Sequence, residues 1–148
     1  MIFERDFLEF IELLNTHRVA YMVIGAHALA FHGRPRYTAD LDIWIKPDFE
    51  NATKMVRVLA DFGFGAMGLV AEDFLKKNYV TQFGYPPLRI DILNAISGLN
   101  FNEAYERRVF GENGDRRISF INIGDFIANK RATGRAKDLG DIEALQSL

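Results

Sequence analysis

The stretch GRPRYTADLDIWIKP, residues 33–47, decides the fold. Two aspartates, Asp40 and Asp42, stand one residue apart ahead of an apolar run. In an extended strand, side chains alternate between faces, so Asp40, Asp42 and Trp44 share one face and Leu41, Ile43 and Ile45 the other. A core strand keeps its buried face apolar and turns tolerant side chains outward. The paired carboxylates therefore mark either a solvent-facing strand or a platform for a cation. Upstream, VAYMVIG is a short apolar run stopped by Gly25 and reads as a buried strand. AHALAFHG reads as a short helix closed by Gly33, and Pro35 keeps Arg34 out of the helical conformation.

The composition sets the limits. A chain of 148 residues, 49% hydrophobic with 13 phenylalanines, is expected to fold as one domain around one core. A C-terminal helical segment is expected over about 124–148. Lys plus Arg number 18 and Asp plus Glu 20, a net charge of −2 that gives no global argument for nucleic-acid binding. With no cysteine, disulfides, thiolate metal sites and cysteine nucleophiles are excluded. No apolar run approaches the length of about 20 residues needed to span a bilayer. The start MIFERDFLEF is acidic and amphipathic, unlike a secretory signal. The expectation is a soluble cytoplasmic protein without membrane contact.

Helical spacing of Phe3, Phe7, Phe10, Ile11 and Leu14 predicts a first helix ending near Asn15. After Pro47, an apolar stripe of Phe49, Ala52, Met55, Val56, Leu59 and Phe62 predicts a helix capped by Asp48 and stopped by Gly63. AEDFLKKN reads as a short helix. YVTQFGYPPLRIDILNAI reads as two strands joined by a turn over Gly84–Pro87, with Arg89, Asp91 and Leu93 on one face of the second. FNEAYERR predicts a brief helix, and ENGD a hairpin turn into RRISFINI. The tail reads as two helices separated by Gly134, the last capped by Asp138 with Leu139, Ile142 and Leu145 as its apolar stripe. The class is α/β (α+β): a mixed sheet flanked by helices in a single domain.

Asp91 joins Asp40 and Asp42 if its strand neighbours theirs. Three carboxylates so close would repel unless a cation is present. Mg²⁺ or Mn²⁺ takes oxygen ligands and brings phosphates with it, and a pair of such ions can clamp a phosphoryl displacement. The strand, glycine and helix start just upstream could hold a phosphate on backbone N–H groups, although Gly25 equally suits an ordinary strand-to-helix turn.

Together, Gly25-Ala26, Asp40-Leu41-Asp42 and Asp91 resemble the DNA polymerase β-like nucleotidyltransferase superfamily. The string Arg36, Thr38, Asp40, Asp42 and the tail from Lys130 through Leu145 look most like its small stand-alone branch, which includes AbiEii-type toxins and minimal nucleotidyltransferases. The resemblance spans about Tyr21 to Leu145. It implies a nucleotidyltransferase-like fold and transfer of a nucleoside monophosphate from a nucleoside triphosphate to a hydroxyl of a protein, an RNA 3′ end or a small molecule. Asp40, Asp42 and Asp91 would be the catalytic, metal-binding carboxylates. Gly25, Ala26, Arg36, Thr38 and Lys130 would face the nucleotide. Ala26 departs from the family's second Gly or Ser, removing a hydroxyl contact but keeping the backbone N–H groups.

Other residues carry two readings. Arg34 and Arg36 could neutralise phosphate or pair with the aspartates. Thr38 suits a hydroxyl that braces the acidic strand. Lys130, Arg135 and Lys137 could be solvated helix ends or phosphate-directed. His17, His27 and His32 lack metal-ligand spacing and suit surface or core roles. Trp44 could stack a base or pack. Arg107, Arg108, Arg116 and Arg117 could contact nucleic acid or decorate an exposed hairpin. Two further functions compete with the transferase: a catalytically weak or inactive binding or regulatory protein of a toxin–antitoxin type system, acting through a partner protein or a homo-oligomer, and a Mg²⁺ nuclease.

Overall fold

The structure, a computed structural model, describes residues 4–34, 38–85 and 87–146. The chain runs α1 (Arg5–Thr16), β1 (Tyr21–Ile24), α2 (Gly25–Phe31), β2 (Asp40–Ile45) and α3 (Phe49–Leu59). A wide helical turn at Ala60–Phe64 and single turns at Gly65–Met67 and Ala71–Leu75 lead to β3 (Val80–Phe83) and β4 (Arg89–Leu93). Then follow α4 (Phe101–Glu106), β5 (Val109–Asn113), β6 (Arg116–Phe120), α5 (Ile123–Thr133) and α6 (Ala136–Gln146).

Six strands form one mixed sheet in the order β3-β4-β2-β1-β6-β5. β1 lies between antiparallel β2 and parallel β6, while β2 runs parallel to β4. Hairpins β3–β4 and β5–β6 close the two edges. The apolar run of β1 is buried at every position, as its place inside the sheet requires. On one side, α1 buries Phe7, Phe10, Ile11 and Leu14, and Phe10 meets Phe83 of β3 edge on at 5.5 Å. Burial of each such side chain contributes about 1.5–3 kcal/mol. On the other side, Trp44 packs edge on against Phe101 of α4 at 5.1 Å. Trp44 is thus a core residue, and the base-stacking reading is set aside.

Local chemistry fixes the helix ends. Asp48 caps α3 by accepting from the Asn51 N–H at 2.8 Å, and Asn122 caps α5 by accepting from the Asp125 N–H at 2.7 Å. Gly134 ends α5 in the left-handed region, φ 66°.

Four expectations need correction. Phe49 is 61% exposed rather than part of the α3 stripe, because it is the first residue of the helix and projects beyond the core. Gly63 does not stop a helix cleanly but sits at φ 100° inside the wide turn, which carries Phe62 and Phe64 back toward the sheet. Leu139 is 51% exposed, so α6 packs on Ile142 and Leu145 alone among the stripe residues named. Asp138 is not a cap; it lies in the first turn of α6, fully buried at 0% exposure and ion-paired. No helix of the described residues is long and apolar enough to cross a membrane.

Candidate active site

The parallel pairing of β2 with β4 sets Asp42 directly beside Asp91, and Asp40 beside Arg89. All four side chains lie on one face because each strand alternates in step with its neighbour. Asp91 is 7% exposed, and its Oδ1 accepts no hydrogen bond. Burial first, then the charge of Asp91 and a hydrogen bond shared with it, push the Asp42 carboxyl up from 3.8 to about 6. Lys130 acts in the opposite direction on Asp42. Two carboxyl groups that resist joint ionisation are a ready site for a cation or a shared proton.

Arg89 is the counter-ion the structure itself provides. Its Nη2 donates to Asp40 Oδ2 and to Asp91 Oδ2, each at 3.2 Å, and its Nε lies 3.0 Å from Asp91 Oδ1. Asp40 and Asp91 are therefore held by one guanidinium on the face they share with Asp42. Among the described residues, no group of three His, Asp or Glu side chains is placed to hold a metal ion. The sequence anticipated three converging aspartates; the structure sets all three on one sheet face, with Asp42 beside Asp91 and Asp40 joined to Asp91 through Arg89.

Gly25 shapes the other wall. It begins α2 at φ 66°, and a Cβ built there would run into the Asp42 carboxylate. The glycine therefore serves both a backbone angle that side chains resist and the close approach of β1's end to β2. Ala26 follows as the second residue of α2. Thr38 accepts from the Asp40 N–H at 3.1 Å, bracing the backbone where β2 starts. Arg36 lies outside the described residues.

Opposite the carboxylates, α5 and its junction with α6 supply a basic wall. Lys130 Nζ donates to Asp138 Oδ1 at 3.2 Å and lies 3.9 Å from Asp141 Oδ2. Asp138 also accepts from Arg135 Nε at 2.6 Å, Arg135 Nη2 at 3.2 Å and Thr133 Oγ1 at 2.7 Å. The Arg135 hydrogen bonds, helped by Thr133 and Lys130, hold the Asp138 carboxyl well below the usual range despite its burial. A cleft of about 760 Å³ separates the two walls and is lined by Gly25, Asp42 and Asp91 on one side and Asn129, Lys130 and Arg135 on the other. Sequence reasoning missed Arg89 and Asp138 as parts of this site. For Arg89 the signal was present, since it shares a face with Asp91 two residues away.

Several residues lie elsewhere. Arg34 donates from Nε to the Ala144 carbonyl at 2.7 Å, tying the end of α2 to α6 rather than pairing with the aspartates through that nitrogen. His17 meets Asp61 at 2.7 Å, His32 meets the Ile121 carbonyl at 2.8 Å, and His27 is buried beside Phe7. Desolvation lowers His27 to about 4. Arg107 pairs with Asp125, Arg116 with Glu12, and Arg108 and Arg117 stack on Tyr105 and Phe110 at 3.7 Å each.

No known protein-family profile matches the sequence, and no curated protein matches it. Solved structures do. The lincosamide antibiotic adenylyltransferase LnuA, in a lincomycin-bound structure, superposes with a TM-score of 0.59 at 16% identity, covering 99% of this chain and 98% of that one. The Thermotoga maritima protein TM1012, a nucleotidyltransferase by assignment, also gives 0.59 at 16% identity, covering 97% of this chain and 89% of its own. At that identity the likeness establishes the fold, and the six-stranded mixed sheet with its flanking helices is the fold of these nucleotidyltransferases.

Proposed function

We propose that this chain is a nucleotidyltransferase that moves a nucleoside monophosphate from a nucleoside triphosphate to a hydroxyl acceptor and releases pyrophosphate. The observation that carries the reading is the register pairing of Asp42 with Asp91 across from Lys130 in one cleft. A divalent cation, Mg²⁺ or Mn²⁺, suits these residues: the Asp42 carboxyl is pushed to about 6 beside Asp91, whose buried Oδ1 meets Arg89 through an ion pair rather than a hydrogen bond. When bound, the ion neutralises the triphosphate and polarises the α-phosphate.

The chain's own groups supply the rest. Asp42 and Asp91 would hold the ion, with Asp40 released from Arg89 to join them. Asp91 Oδ1 would accept the proton of the acceptor hydroxyl as its oxygen bonds to the α-phosphorus and the bond to the leaving pyrophosphate breaks. Gly25 and Ala26 would offer backbone N–H groups to the β- and γ-phosphates, and Arg36 and Thr38 would face the nucleotide. Lys130 and Arg135, fixed by Asp138, would meet the negative charge that builds on the leaving group. The likeness to LnuA supports an adenylyl donor and a small hydroxylated acceptor, because that protein spans the same whole domain.

Labelled nucleoside triphosphates, Mg²⁺ or Mn²⁺, and three acceptor classes (amino-sugar-like small molecules, RNA, protein) test this directly. Acceptor labelling with pyrophosphate release is expected, falling at least 100-fold in Asp42→Asn and Asp91→Asn. Labelling unchanged in both variants contradicts it.

A second reading draws on Arg89. A guanidinium already bridging Asp40 and Asp91 suits a nucleotide-binding or regulatory protein of toxin–antitoxin type in which chemistry is weak. Tight nucleotide binding with no transfer to any acceptor, together with a stable partner protein, favours it.

A further inference from the structure

A second cavity lies on the opposite side of β4. Asp91 and Leu93 line the active-site cleft, whereas Leu88 and Ile90 line a groove of about 500 Å³ between α1, the wide turn and the β3–β4 turn. That volume falls in the range of small-molecule sites. One wall is aromatic. Phe62 stacks on Phe64 at 5.7 Å, Phe64 meets Tyr85 at 5.6 Å, and Tyr85 is 77% exposed.

The other wall is acidic. Asp6, Glu9 and Glu12 recur at helical spacing along α1, and Asp61 faces the groove from the wide turn, while no Lys or Arg among the described residues lines it. Partners of three of these carboxylates, Arg5, Arg116 and His17, stand outside the groove, and Asp6 has no ion pair among the described residues. Exposed pairs of that kind hold their charges weakly, so a cation arriving in the groove competes well with them. Aromatic faces add attraction for a cation that carboxylates alone lack.

We infer that this groove binds a small organic cation with an aromatic or apolar body: the ammonium or amidinium against the α1 carboxylates, the body against Phe62, Phe64 and Tyr85. The site is separate from the cleft and shares only β4 with it, so its occupant is an effector or carrier ligand rather than the triphosphate.

Tryptamine and indole-3-acetate carry the same ring with opposite charge and serve as the probes, measured by calorimetry on the full chain. Tryptamine is expected to bind at least 10-fold more tightly than indole-3-acetate. Its affinity should fall about 5-fold in the surface double variant Asp6→Asn/Glu12→Gln and about 5-fold in Phe64→Ala, and stay unchanged in Asp42→Asn. Equal affinity for both probes, no tryptamine binding at millimolar concentration, retention in the carboxamide variant, or loss in Asp42→Asn each overturns the inference. The carboxamide variant changes only groove-wall side chains of α1 and remains informative if Phe64→Ala is poorly folded.

Discussion

Asp42 and Asp91 are register partners on two parallel strands, and the nearest cation reaching either of them from within the sheet is Arg89 on the same face. This geometry sets one carboxyl, pushed up to about 6, beside a second that is held by a guanidinium. The consequences for stability, metal binding and chemistry can be separated by experiment.

The first concerns pH. The folded-state pKa of Asp42 is about 6, above its ordinary 3.8, so between those values the native state holds a proton that the unfolded chain has released. Stability must therefore fall as pH rises through this window and level off above it. In EDTA, Asp42→Asn should remove that slope: equal to wild type near pH 4 and more stable by on the order of 1–3 kcal/mol at pH 8. Urea titrations at the two pH values measure it.

Gly25→Ala should destabilise the protein by roughly 1–3 kcal/mol, since the new methyl meets the Asp42 carboxylate at a backbone angle of φ 66°. Thermal melting reads the loss, and Asp42→Gly in the same background should recover part of it by vacating the clashing side chain. A melting temperature unchanged by Gly25→Ala would contradict the close approach.

Arg89 competes with any divalent ion for the same oxygens. Arg89→Met should raise Mn²⁺ affinity about 10-fold, with Arg89→Lys between it and wild type. Electron paramagnetic resonance of free Mn²⁺ follows this without turnover. A weaker affinity in Arg89→Met would instead mean that the arginine holds the carboxylates in their binding arrangement.

Asp138 works in the opposite sense to Asp42. Its pKa is depressed by Arg135, Thr133 and Lys130, so its contribution is present above the unfolded value and lost as pH falls through the folded one. Asp138→Ala leaves Lys130 and Arg135 without their shared anion and should cost about 3–5 kcal/mol, read as a shifted urea midpoint. Asp138→Asn keeps the hydrogen-bonding shape and should cost less.

Much of this was legible in the sequence. Strand alternation placed Asp40, Asp42 and Asp91 on single faces, and their sharing of one sheet face required only that β2 and β4 be neighbours. Glycines and prolines marked the turns because their backbone limits are local. What stayed hidden depended on long-range packing. Asp138 looked like a helix cap, since its burial and its ion pair with Lys130 of the preceding helix depend on how the two helices pack. Leu139 fitted a helical stripe, yet nothing in the spacing said which arc of α6 would meet the rest of the domain. Arg34 carried two readings, phosphate or aspartate partner, and the spacing gave no sign of its bond from Nε to the Ala144 carbonyl of α6. Arg89 was visible as a same-face neighbour of Asp91, but its bridge to Asp40 exists only through the pairing of two strands 49 residues apart.

The central claim is best tested by anomalous diffraction from crystals soaked with Mn²⁺ and a non-hydrolysable nucleoside triphosphate analogue. The account predicts a manganese peak between the Asp42 and Asp91 carboxylates, in contact with triphosphate oxygens, with the Arg89 guanidinium moved off Asp40. A nucleotide bound away from these carboxylates, or Arg89 still bridging Asp40 and Asp91 with no manganese beside them, would contradict it.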